Sequence, residues 1–180
     1  MNRLIQVVGA VGMLLGAQVQ GPSRPEVPES LKAPAGEEII LVAHARGRQI
    51  YVCRLGTDQK YAWVFKEPEA DLTDATGKNI AHHTAGPTWK HADGSEVKAK
   101  VVAKLEAPKV EAPNPQAIPW LLLSATSHSG EGMFSRVTSI QRIHTEGGMP
   151  VNDKYCDASA IGKEVGTAYL ADYYFYAPPR

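Results

Sequence analysis

Between Glu96 and Ala107 the chain reads EVKAKVVAKLEA, which places Val97, Ala99, Val101, Ala103 and Leu105 on one parity and Lys98, Lys100, Lys104 and Glu106 on the other. A period of two sends alternate side chains to opposite faces, so this stretch is an antiparallel strand with one wet face, and its lysines are a solvated face. The same kind of short segment, rich in Val, Ile, Tyr and Trp, recurs as EEIILVAH, RQIYVCR, KYAWVFK, IPWLLLSAT, FSRVTSIQRI and TAYLADYYFY. Turn residues separate them, at Asp58, Asp74–Gly77 and Asp93-Gly94, and the proline-bearing stretch 107–117 reads as a loop. Seven or more strands follow. IPWLLLSAT is apolar on both parities, which predicts a central strand covered on both sides. No segment keeps a helical period over three turns, and Asp157–Glu164 is the best short helical candidate. The expected fold is therefore all-β and mostly antiparallel, a distorted β-sandwich or a partly open barrel, with at most one or two short helices; of the two layouts the sandwich is preferred.

The segment before this region has another character. Arg3 precedes an apolar run from Leu4 to Ala17, followed by small and polar residues, the anatomy of a secretory signal peptide over residues 1–20. The run is shorter than the roughly 18–20 apolar residues that cross a bilayer, and an uncleaved N-terminal anchor is the alternative. No later segment is a transmembrane candidate. Prolines at 22, 25, 28 and 34 mark 21–36 as an extended tether, which leaves 37–180 as one β-rich domain. The formal net charge is zero and no block of like charges occurs, which excludes nucleic acid as a natural partner. The expected location is the periplasm or the extracellular space. There two cysteines, Cys53 and Cys156, pair most simply as a disulfide, two separate buried thiols being the other option.

The segments HARGRQIYVCR, YAWVFKEPEADLTDATGKNI, HHTAGPTWKHADGSEV, IPWLLLSATSHSGEGMFSRVTSIQRIHTEGG and YLADYYFY, in this order, resemble a family of exported bacterial and fungal proteins catalogued as domain of unknown function 3455. The resemblance covers about Leu41 to Tyr176. It implies a secreted β-rich domain and leaves the chemistry open. Gln49, Tyr51, Trp63, His83, Trp89 and Arg142 fall at matching positions of that pattern, whereas His82 and His91 fall at variable ones.

The densest group of chemistry-bearing residues is IAHHTAGPTWKHADGS, Ile80 to Ser95, with three of the six histidines. Imidazoles converging from His83, His91 and either His44 or His128 would hold copper or zinc. Adjacent strand residues face opposite ways, so His82 and His83 cannot share one ion, and a plain hairpin carrying separate imidazoles is the competing reading. Asp93-Gly94 suggests a type I′ turn there. The chain has no H-x-H pair and no H-E-x-x-H. In SHSGEG, Ser127 and Glu131 are candidates for a polar binding loop; the G-x-S-x-G elbow is absent, so a catalytic serine is disfavoured and a plain turn is the alternative. Trp63 and Trp120 read as core, and Trp89, beside a turn, as the partly accessible tryptophan that could meet a ligand. No catalytic signature stands out. The expectation is an exported binding module for a polysaccharide or other envelope component. A copper- or zinc-dependent enzyme acting on polysaccharide and a structural envelope protein are the alternatives.

Overall fold

In a computed structural model, residues 21–108 and 117–180 are described; the expected signal peptide lies outside them. Eight strands run in chain order: β1 (Glu38–Leu55), β2 (Tyr61–Thr73), β3 (Asn79–Thr84), β4 (Thr88–His91), β5 (Glu96–Leu105), β6 (Trp120–Ser129), β7 (Ser139–Gly147) and β8 (Glu164–Ala177). Each pairs antiparallel with the next, and β8 returns to pair with β1, so one sheet closes into a ring. Of the two expected layouts the molecule adopts the barrel, with its wall thinnest where short β4 meets β5. A sandwich would need two sheets packed face to face, and the β1–β8 seam leaves only one. Among the described residues there is no α-helix, only the 3-10 turns Glu29–Leu31, Met133–Arg136 and Asp153–Tyr155; Asp157–Glu164 forms turns leading into β8.

Inward positions are graded in size. Ala43, Ala45, Ala70, Ala81, Ala99 and Ala171 supply small side chains to the lumen, set among the large ones of Trp89, Tyr173, Phe134 and Phe175. Small among large is how an eight-stranded barrel fills its interior. Gly47 has no room for a side chain because β1 approaches β2 closely there; a Cβ would meet the Ala70 Cα at 2.5 Å. One end of the barrel is stoppered by Phe134, fully buried and stacked on Phe175 at 4.6 Å.

Two features differ from the sequence reading. The strict alternation of β5 holds at Val97 and Ala99 but breaks at a register shift between Val101 and Ala103, after which Lys104 lines the lumen's mouth while Val102 is 52% exposed. A bulge reverses parity, and a pattern count over the sequence carries it through unseen. The proline-rich segment expected as a tether is anchored from Arg24 onward: Arg24 donates to the carbonyls of Ala33, Pro34 and Glu37, and its guanidinium lies 5.2 Å from the Tyr176 ring centre. Leu31 is fully buried, and its carbonyl accepts from Gln141 Nε2 at 2.6 Å. The segment covers the outer face near β5 and β6. That is why IPWLLLSAT is apolar on both parities.

Candidate ligand-binding site

The end opposite Phe134 is open. Below its rim the lumen holds a cavity of about 550 Å³, within the size range of small-molecule sites, lined mainly by apolar and aromatic side chains. Irregularities in the wall shape it. A register shift in β2 gives an extra residue at Lys66 and brings Phe65 opposite Tyr51, the rings 5.8 Å apart, edge to face. The Ala85-Gly86-Pro87 turn between β3 and β4 forms another part of the rim, with Gly86 at φ 76°. The β7–β8 connection contributes Met149 and Pro150; it is tied down by Tyr51 Oη–H donating to the Gly148 carbonyl at 2.7 Å and by the Cys53–Cys156 disulfide.

His83 and Trp89 face each other across β3 and β4, and their rings stack at 4.2 Å, nearly parallel. His83 Nδ1–H donates to the Thr88 carbonyl at 2.9 Å, which leaves Nε2 as the unprotonated nitrogen. Burial pushes the His83 imidazole down to about 3, and the Arg142 charge acts in the same direction. Arg142 enters the cavity from β7, directly opposite Tyr173 of β8. Its Nε and Nη2 donate to the Pro119 carbonyl at 3.3 and 2.9 Å. Burial raises the hydroxyls of Tyr169 and Tyr173, with Arg142 opposing, so both remain protonated donors. Tyr173 Oη and Gln49 Nε2 are buried without a partner of hydrogen-bonding geometry among the described residues.

A neutral, buried His83 ties stability to pH. The unfolded chain takes up a proton near pH 6.5 and the folded one only near 3, so between these values the unfolded state binds more protons and stability falls as pH falls. The groups facing His83 are Trp89, Tyr173 and the Arg142 charge, with His82 next to it in sequence on the opposite face. Urea unfolding between pH 4 and 6 is expected to show a slope contribution approaching about 1.4 kcal/mol per pH unit that His83→Gln removes. An unchanged slope in that variant would place the titration elsewhere.

The candidate metal ligands are not brought together. His44 lies on the outer face, 2.7 Å from Asp172 Oδ1, whose other oxygen is 2.8 Å from His144. His83 is inside the barrel, His91 sits beside Asp93 at 3.0 Å near the stoppered end, and His128 Nε2–H donates to the Val137 carbonyl at 2.6 Å. Among the described residues no three His, Cys, Asp or Glu side chains converge as a metal site. His82 is exposed, 2.9 Å from Asp71, on the face opposite His83 as the strand period requires. The hairpin after His91 closes with Gly94 N–H on the His91 carbonyl and Gly94 at φ 92°, a turn with one left-handed residue instead of the expected type I′ pair. Ser127 and Glu131 are exposed toward the stoppered end and do not line the cup. Trp89, expected to be partly accessible, is only 1% exposed, because its parity on β4 is inward; it still lines the cavity. Arg142, Gln49 and Tyr173 were not singled out as site residues. The available signal was Arg142 itself, a cation on the inward parity of the apolar segment SIQRI, two places from Ile140.

An antiparallel up-and-down barrel of eight strands, stoppered at one end and open at the other onto an apolar cup, defines this molecule's class. The chain belongs to the family described as protein of unknown function (DUF3455), whose pattern matches residues 34–177. No curated protein and no solved structure matches it.

Proposed function

We propose that this is an exported binding module whose barrel cup takes one small, largely apolar molecule. The observation that carries this reading is the cavity of about 550 Å³ inside the open end, walled by Tyr51, Trp63, Phe65, Leu121 and Leu123. Apolar surface of that kind gains free energy by leaving water only when something fills it. The lining is mainly apolar and aromatic with its polar groups few, so a compact, largely apolar guest fits better than the polysaccharide expected from sequence. Export is supported by the disulfide, which persists where thiols are not kept reduced.

The test is a fluorescence titration with the neutral dye N-phenyl-1-naphthylamine. Saturable one-to-one binding is expected, weakened about tenfold or more by Val101→Trp, where a wall position already 47% exposed can accept a larger side chain that occupies the mouth. Dye binding that is absent, or indifferent to Val101→Trp, would remove the proposal.

A further inference from the structure

The geometry points to a guest of one chemical class: a small monocarboxylate whose acid group sits on Arg142 and whose apolar body fills the cup. This rests on the cup being a binding site, and it adds which group of the guest Arg142 meets and what charge it carries.

Of the three cations lining the cup, Arg142 is the least exposed, and Lys104 shares the mouth with Glu106. Lys66, at the mouth, is already engaged by Glu164 at 2.8 Å and Glu67 at 3.2 Å. No carboxylate among the described residues lies within 4.0 Å of Arg142; Glu106 lines the mouth without reaching it. The Pro119 carbonyl occupies the Nε–Nη2 edge of the guanidinium, and the Nη1–Nη2 end is left with hydrogens to donate. A planar fork of this kind matches the two oxygens of a carboxylate. The neighbouring buried polar atoms point the same way. Gln49 Nε2 and Tyr173 Oη lie close to the Tyr169 hydroxyl, and Tyr173 Oη close to Arg142, but neither atom meets hydrogen-bonding geometry among the described residues, so each keeps a hydrogen to offer. Unsatisfied buried donors beside an uncompensated cation are costly, and an acceptor with negative charge relieves both. One guanidinium in an apolar cup balances one negative charge, whereas a dianion would bury charge with no partner.

The test compares three guests with one body: 2-naphthylacetate, 2-(2-naphthyl)ethanol and 2-(2-naphthyl)ethylamine, each titrated calorimetrically at pH 7 and by displacement of N-phenyl-1-naphthylamine. The acetate is expected to bind about tenfold or more tightly than the alcohol, and the amine most weakly. Arg142→Gln is expected to abolish the preference, so that acetate and alcohol bind that variant equally, and Arg142→Lys to keep part of the preference. Because Arg142 also holds the Pro119 carbonyl, the wild-type ranking decides the matter even if the variants fold poorly. Tyr173→Phe is a second probe that removes a donor and no charge. Dye binding with alcohol and acetate equal, or a preference that survives Arg142→Gln, would overturn the carboxylate assignment and leave the cup as a binding site. Failure of the dye and all three guests would overturn both.

Discussion

Replacing Phe134 with alanine is expected to lower the free energy of unfolding by about 3–5 kcal/mol, the cost of truncating a fully enclosed aromatic side chain. The site cannot easily collapse around the void. Phe134 stacks on Phe175, and the edge of His91 packs against it at 5.2 Å, so both neighbours lose contacts that nothing else supplies. Its backbone is held independently of the ring. Phe134 N–H donates to Ser95 Oγ at 3.0 Å, Ser95 Oγ–H donates to Asp93 Oδ1 at 2.6 Å, and Met133 N–H donates to Asp93 Oδ2 at 2.7 Å. These donors hold the Asp93 carboxyl well below the usual carboxylate range, the Ser95 hydroxyl contributing most. The turn therefore keeps its place when the ring is removed and a cavity stays open at the base of the barrel. Urea denaturation measures the loss; the neighbouring Met133→Ala, at a partly exposed side chain, should stay within about 0.5 kcal/mol. A Phe134→Ala loss as small as that of Met133→Ala would mean that the base of the barrel is not packed as described.

Removing the Cys53–Cys156 disulfide, by reduction or by the double replacement with alanine, is expected to cost about 2–5 kcal/mol. The bridge joins the end of β1 to the β7–β8 connection across a sequence separation of 103, and in the chain-entropy account long loops gain most from being closed. In the folded state the same junction is also held by Cys53 N–H on the Lys163 carbonyl and Gly162 N–H on the Cys53 carbonyl, both at 3.0 Å. Cys53, Cys156 and Ala160 form a small cluster of their own, with Tyr61 and Trp63 against it. Native geometry at the rim should thus survive reduction under mild conditions, and the difference should appear as a lower urea midpoint. Equal midpoints for oxidised and reduced protein would show that the bridge contributes nothing to stability.

What could be read from residue order depended on whether the signal was local. The all-β class followed from period two and turn chemistry, which each strand carries within itself, and the Cys53–Cys156 pair followed from counting. The choice between sandwich and barrel was not local, since it turns on β1 meeting β8 across the length of the domain. Parity placed His82 and His83 on opposite faces correctly, because β3 is regular there. It failed beyond Val101, where one extra residue in β5 exchanges the faces. The histidine-rich stretch drew attention as a metal site because sequence neighbours look like spatial neighbours. In the barrel its two inward imidazoles lie at different levels, His83 at the cup and His91 against Phe134 at the base, and the polar partners around the cup come from β1, β7 and β8. Trp89 was placed outside for a related reason: a short strand beside a turn gives too few residues to fix which face is inward.

The pairing between β1 and β8 is the longest seam in the sheet, from Glu38 opposite Ala177 to Val52 opposite Glu164, with one register shift between Ile39 and Leu41. The strand that completes it also brings Tyr169, Tyr173 and Phe175 into the lumen. Without β8, both β1 and β7 present bare edges, and Trp89 and Phe134 lack the aromatic side chains they pack against. Closing the ring is therefore a non-local event that joins the first and last strands of the barrel, the kind of contact that forms slowly and leaves strand edges uncovered until it does.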